Sequence, residues 1–294
     1  MNKPKDEPGL QTILSHCGRN LEASGGYVNV PPYEGSTILH DDMEDLFGRV
    51  DNHLYGDGTA QTYGTDGGPT HEAFYDAMNK LEGGAGTWAF STGLAGCTIP
   101  MMAFLKTGDH MLVTDSVYGP TRQFCEVLLK NFGVEAEFYE STIGAGIEKL
   151  IRPNTRLIYM ESPGTHTFEM QDVPAIAAVA RKYNIVTMID NTYATPLNFQ
   201  PLKHGVDVVV HSATKYICGH SDVLMSTVTC NEKNWKQVRD VCKMTGQYAS
   251  AQSVYLGLRG LRTLKVRLDA VGVHTRKVVD WLLKREEVKK VIWP

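Results

Sequence analysis

The chain has 294 residues, 42% of them hydrophobic, enough for one large α/β domain and an appendage around a sizeable core. Its net charge of -4 offers no basic surface to nucleic acid or an anionic membrane, and no run approaches the roughly 20 apolar residues of a membrane span. Cysteines 17, 97, 125, 218, 230 and 242 form no C-x-x-C pair, so they read as free thiols of a reducing cytoplasm and not as a metal site, and MNKPKDEPGL lacks a signal-peptide core.

Residues 1–69 are rich in Gly, Pro, Asn and Asp with little periodicity, which predicts an extended arm ending at Tyr63-Gly64-Thr65 and Pro69-Thr70. Thr70 is the expected N-cap of a helix whose buried face carries Ala73, Phe74, Ala77, Met78 and Leu81, with Gly83-Gly84 as its stop. Strand-like TWAF then runs into Ser91-Thr92-Gly93-Leu94, and a helix is expected from there to about Lys106. A glycine turn that opens a helix presents free N–H groups and the positive end of the helix dipole, so Gly93 and Leu94 are candidate anion-binding residues. Alone that signal is weak, because many such turns bind nothing.

HMLVTD (110–115) reads as the next strand, and Tyr118 lies in the loop after it, where α/β sites gather and a ring can stack on a flat heteroaromatic group. A helix to about Asn131, the strands VEAEFY and TRLIYM, a helix over 173–184 and the strand IVTMID continue a βαβ rhythm, which predicts a parallel sheet between helices. IVTMID ends at Asp190. A carboxylate at the tip of a buried strand is costly without a cationic partner, which makes Asp190 a candidate site residue as well as a possible loop cap.

The stretch 207–222, DVVVHSATKYICGHSD, concentrates the most chemistry. Val208, Val209 and Val210 read as a buried parallel strand that delivers Ser212, Thr214 and Lys215 into a turn closed by Gly219. A lysine packed against apolar residues is pushed toward the neutral amine that condenses with carbonyls, and the two hydroxyls beside it could hold a phosphate. Ser212 to Lys215 also satisfies S-x-x-K, and Lys106-Thr107-Gly108 satisfies K-T-G, but the order is the reverse of that in serine β-lactam enzymes and no S-D-N is present. Beyond Asp222 come the strand VLMSTVTC, a helix over 231–245, and a long amphipathic pattern from Ser250 to Lys284 with Leu258, Leu261 and Leu264 among its buried positions.

Asp207, Ser212, Ala213, Thr214, Lys215, Tyr216, Ile217, Gly219, His220 and Ser221 fit in order the lysine signature of the Cys/Met-metabolism pyridoxal-phosphate enzymes, and the whole stretch resembles that family. The resemblance implies an α/β fold of the aspartate aminotransferase type: a large domain with a mostly parallel sheet between helices, and a small C-terminal domain largely missing here. It implies pyridoxal 5'-phosphate (PLP) held covalently by Lys215, with Gly93, Leu94, Ser212 and Thr214 around its phosphate. Tyr118 would stack on its ring and Asp190 would pair with its pyridine nitrogen. Tyr63 would reach the phosphate of a neighbouring subunit in a homodimer or homotetramer. The family's Tyr-Gly-Arg reads Tyr63-Gly64-Thr65 here, so one charged phosphate clamp is lost or supplied from elsewhere.

The implied activity is carbon–sulfur bond cleavage in an amino-acid substrate, with Lys215 also moving the α-proton. ESPG, DNTYA and GHSD look like the versions found in cystathionine β-lyases, although the γ-acting relatives share every one of the site residues. Family members continue into a C-terminal domain with an arginine that grips the substrate carboxylate. The expected organisation is therefore an arm (1–69), a PLP-binding domain (70–262) and a connecting helix opening a truncated domain (263–294), with a PLP-binding chain lacking lyase activity as the alternative.

Overall fold

A computed structural model describes residues 9–22, 24–56 and 58–293; residues 1–8, most of the MNKPKDEPGL stretch, and residue 294 lie outside it. Its strands are Gly86–Phe90 (β1), His110–Thr114 (β2), Glu135–Tyr139 (β3), Thr155–Glu161 (β4), Val186–Asp190 (β5), Val208–His211 (β6) and Ser226–Cys230 (β7). They form one sheet in the order β1-β7-β6-β5-β4-β2-β3. β2 to β6 pair in parallel, whereas β7 is inserted antiparallel between β6 and β1.

The helices are Leu10–His16 (α1), Met43–Tyr55 (α2), Pro69–Glu82 (α3), Gly93–Thr98 (α4), Gly119–Gln123 (α5), Val173–Lys182 (α6), Thr195–Asn198 (α7), Glu232–Met244 (α8), Ala251–Leu261 (α9) and Leu264–Leu282 (α10). Helix α5 runs on through a π-helical turn, Phe124–Leu129.

The valine run of β6 is continuous because both faces of the sheet are covered. Val208 and Val210 enter a core with Phe90, Met111, Val113 and Val238. Val209 enters one with Leu112, Ile158, Ile176 and Ile189 on the other side. Such two-sided burial removes the apolar-polar alternation of a half-exposed strand. A third core joins α1, α3 and α9 to the lysine stretch through Leu14, Phe74, Leu258, Ala213 and Ile217.

Several local expectations change. The arm is not simply extended: α1 buries Leu14, and α2 is capped by Asp42, whose side chain accepts from Asp45 N at 2.8 Å. Their short apolar spacings, Leu10-Ile13-Leu14 and Met43-Leu46-Phe47-Val50, are surrounded by glycine and proline. Thr70 is not an N-cap. Gly68 takes that place, Pro69 is the first helical residue, and the Thr70 hydroxyl donates to Pro31 O (2.7 Å) while accepting from Tyr33 N (2.9 Å). The helix after Gly93 stays α-helical only to Thr98, then tightens to a 3-10 turn over Ile99–Ala103 at Pro100, whose missing N–H cannot continue the ladder. The pattern over 250–284 is two helices, broken at Arg262 and Thr263, with Leu258, Leu261 and Leu264 all buried.

Leu258 packs from α9 into the same core as the lysine turn. Leu258→Ala should lower the unfolding free energy by about 2–5 kcal/mol, the usual cost of such a cavity, measured by urea denaturation without cofactor.

Candidate active site

Six strand ends lie on one edge of the sheet. β1 is parallel to β6 because β7 is antiparallel to both, so Phe90, Thr114, Tyr139, Glu161, Asp190 and His211 end their strands on the same side. The residues after them are those the sequence singles out: Gly93 and Leu94 after β1, Tyr118 after β2, Ser212 to Lys215 after β6. Clefts beyond the carboxyl ends of parallel strands are where ligands bind in such sheets.

Asp190 is buried, and the adjacent strand places Glu161 directly beside it in register. The Asp190 carboxylate accepts from Thr192 N through Oδ1 (2.9 Å) and from the Cys97 thiol through Oδ2 (3.5 Å); among the described residues no cation pairs with it. Glu161, 3% exposed, accepts from Tyr118 N through Oε2 (2.8 Å) and from the Thr165 hydroxyl through Oε1. Burial, reinforced by the charge of Asp190, pushes the Glu161 carboxyl from its usual 4.5 up to about 8. Glu161 therefore holds a proton at neutral pH while anchoring the backbone of Tyr118, whose ring is 43% exposed. The sequence gives Glu161, just after TRLIYM, no role, since only the strand register reveals its neighbour.

At the other end of the edge, Thr92 Oγ1 caps α4 by accepting from Ala95 N (3.2 Å), which leaves the Gly93 and Leu94 N–H groups at the helix mouth. A Cβ on Gly93 would stand 2.7 Å from Ser212 Oγ, so a side chain there would crowd the Ser212 hydroxyl out of its present place beside Gly93. Ser212 is itself fixed through its backbone N–H, which donates to Thr192 Oγ1 at 2.7 Å.

Two expectations fail at the lysine turn. Thr214 is not a free phosphate donor: its hydroxyl donates to Met225 O (3.1 Å) and accepts from Met225 N (2.9 Å), stapling the turn to the approach of β7. Nor is Lys215 packed against apolar residues. It is exposed, because the valines end below the turn and the residues the turn buries are Ala213, Ile217 and Cys218. Tyr63, on the arm, is exposed, with its backbone N–H donating to Asp66 Oδ2 (3.1 Å), and Thr65 is exposed beside it. Behind the turn, His211 Nε2 bonds to Glu82 with both side chains buried, a pair that 129 residues of separation hide from sequence reading.

The profile of the Cys/Met metabolism PLP-dependent enzymes matches residues 11–294. The chain belongs to this family. It is 44% identical over 97% of its length to a protein named putative cystathionine beta-lyase from Rhizobium johnstonii, and 38% identical over 97% to cystathionine beta-lyase of Haemophilus influenzae, spanning 70% and 72% of those proteins. A crystal structure of cystathionine gamma-lyase from Lactobacillus plantarum complexed with L-serine superimposes with a TM-score of 0.87 at 30% identity, covering 96% of this chain and 71% of that one.

PLP is the cofactor of this family, and the residues present fit it. A buried carboxylate lacking a cation suits a protonated pyridine nitrogen, and amides with a hydroxyl in a glycine cradle suit a phosphate.

The raised Glu161 carboxyl has a consequence for stability. Folded chains keep a proton that unfolded chains lose above about 4.5, so this group's contribution is full below that pH and is lost as the pH rises to about 8. The slope approaches about 1.4 kcal/mol per pH unit. Glu161→Gln removes the ionisation, so its stability relative to the parent should rise between pH 5 and pH 8.5 in urea denaturation without cofactor. A difference that stays flat with pH would show that Glu161 ionises normally.

Proposed function

We propose that the chain is a PLP-dependent carbon–sulfur β-lyase that converts L-cystathionine to homocysteine, pyruvate and ammonia. Similarity at 38–44% identity to proteins named for that reaction, running over nearly the whole chain, carries the reading. PLP, when bound, supplies the electron sink that makes an amino acid's α-carbon acidic.

In this reading each residue has a defined task. Lys215 anchors the cofactor and, once substrate has displaced it, its amine takes the α-proton; its exposure on the turn leaves the side chain free to move between these tasks. Asp190 keeps the proton on the pyridine nitrogen, and the proton that burial keeps on Glu161 spares it a second buried charge alongside. Tyr118 stacks on the ring from a loop pinned at Glu161. The Gly93 and Leu94 amides and the Ser212 hydroxyl hold the phosphate.

Tyr63 completes the phosphate site from a second copy of the chain in a homodimer or higher assembly. Helix α2 supports that assembly, since it buries no residue and exposes Met43, Phe47 and Leu54. No helix among the described residues is long and apolar enough to cross a membrane, and six free cysteines suit a reducing cytoplasm. The likeness to a cystathionine gamma-lyase structure supports a second reading, γ-cleavage, which would release cysteine and 2-oxobutyrate instead.

Two assays test the proposal. Borohydride reduction of the PLP-loaded chain followed by peptide mapping should label Lys215, and Lys215→Ala should lose the label together with all turnover. With cystathionine as substrate, the 2-oxo acid formed should be pyruvate. A 2-oxobutyrate product would replace β- with γ-cleavage, and cofactor attachment without either product would leave PLP binding without lyase activity.

A further inference from the structure

The turn that carries Lys215 is short, and its last carbonyls need partners. Lys215 N donates to Ser212 O (3.0 Å), Cys218 N to Ala213 O (2.8 Å) and Gly219 N to Lys215 O (2.8 Å), so the segment coils like the end of a helix. As at any helix end, the final carbonyls, here those of Tyr216 and Ile217, have no acceptor role within the coil. One side chain from α10 takes both. Arg267 Nη1 donates to Tyr216 O at 2.6 Å and Nη2 to Ile217 O at 3.3 Å, while Nη2 also reaches Gly260 O at 2.8 Å and Nε reaches Thr263 Oγ1 at 3.1 Å.

The backbone is shaped around this contact. Gly219 lies at φ +79, and a Cβ there would stand 2.2 Å from Arg267 Nη1 and 2.4 Å from its Cζ. A Cβ on Gly260 would stand 2.2 Å from Ile217 O and 2.7 Å from Cys218 O. The two glycines thus let the α9–α10 junction rest directly on the lysine turn. A guanidinium there satisfies carbonyls and complements the negative end of a helical turn, and its planar fork holds two carbonyls in one fixed geometry, which a freely rotating ammonium does not impose.

Resting on the reading of Lys215 as the cofactor lysine, we infer that Arg267 is a positioning residue for Lys215, which caps the lysine turn and couples its register to helix α10. Leu264 is the one residue that α10 buries, so the guanidinium supplies a large part of the helix's attachment at this point. A displacement of α10 therefore pulls on the carbonyls one and two residues beyond the lysine. Arg267 touches neither the cofactor nor the substrate in this role; it acts through the turn.

The test compares the parent with Arg267→Met and Arg267→Lys in two measurements. Hydrogen exchange is followed on the cofactor-free chain, and PLP is then titrated, with the fraction trapped on Lys215 by borohydride. In Arg267→Met the Cys218 and Gly219 amides should exchange at least tenfold faster while β5 and β6 stay protected, and PLP should bind at least tenfold more weakly with less label on Lys215. Arg267→Lys, which keeps the charge but not the planar fork, should fall between the two. Exchange at Cys218 and Gly219 and PLP affinity both within twofold of the parent in Arg267→Met would overturn the inference. Should that variant not fold, Arg267→Lys decides alone: a threefold change in both measurements is expected, and parent values would overturn it. A parent chain that takes no PLP on Lys215 would refute the site reading, while exchange without cofactor would still judge Arg267.

Discussion

Two carboxyl groups, Glu161 and Asp190, end adjacent parallel strands inside the protein, and neither has a cationic side chain to neutralise it among the described residues. Burying two like charges side by side is prohibitive. A proton on Glu161 relieves half of the problem, and in the proposed function the pyridine nitrogen of PLP relieves the other half at Asp190. The edge where the two acids meet is also where Tyr118 is anchored, where α4 opens and where the lysine turn begins. A merely structural core would have used apolar residues at both strand tips.

The lysine turn is held from three sides. Ser212 is fixed by Thr192, which follows Asp190; Thr214 is fixed by Met225, which leads into β7; Tyr216 and Ile217 are fixed by Arg267. The Lys215 side chain has no hydrogen-bond or ion-pair partner among the described residues. A held turn with one free amine suits the part that the proposed function gives Lys215. Strain is confined to small residues here: Gly219 takes the left-handed conformation that the Arg267 contact demands, and Ser221 follows at φ 60.

What the sequence discloses and what it hides divide along the range of the interactions. The lysine stretch is readable because its strand, hydroxyls, amine and glycine lie within sixteen consecutive residues. Gly93, Tyr118 and Asp190 are readable for a related reason: the first two follow a strand and the third ends one, and parallel strands bring their carboxyl ends to one edge. Glu161 is hidden, since nothing local says that its neighbour across the sheet is another acid. Arg267 is hidden too, because it meets the lysine turn from 51 residues away and looks like one more charge on an amphipathic helix. Thr214 misleads in the opposite sense, since a hydroxyl beside a lysine looks available until its backbone partners at Met225 are known. The inserted antiparallel β7 escapes the βαβ rhythm because a strand's direction is not written in its composition, and α1 and α2 escape because glycine and proline around them mask two short apolar stripes.

A crystal structure of the chain grown with pyridoxal 5'-phosphate tests the central claim most directly. Density should run without a break from Lys215 Nζ into the cofactor, with the pyridine nitrogen within hydrogen-bonding distance of Asp190 and the phosphate against the amides of Gly93 and Leu94. A cofactor attached to another lysine, or one whose ring nitrogen lies away from Asp190, would contradict the view that the buried acid pair defines the site.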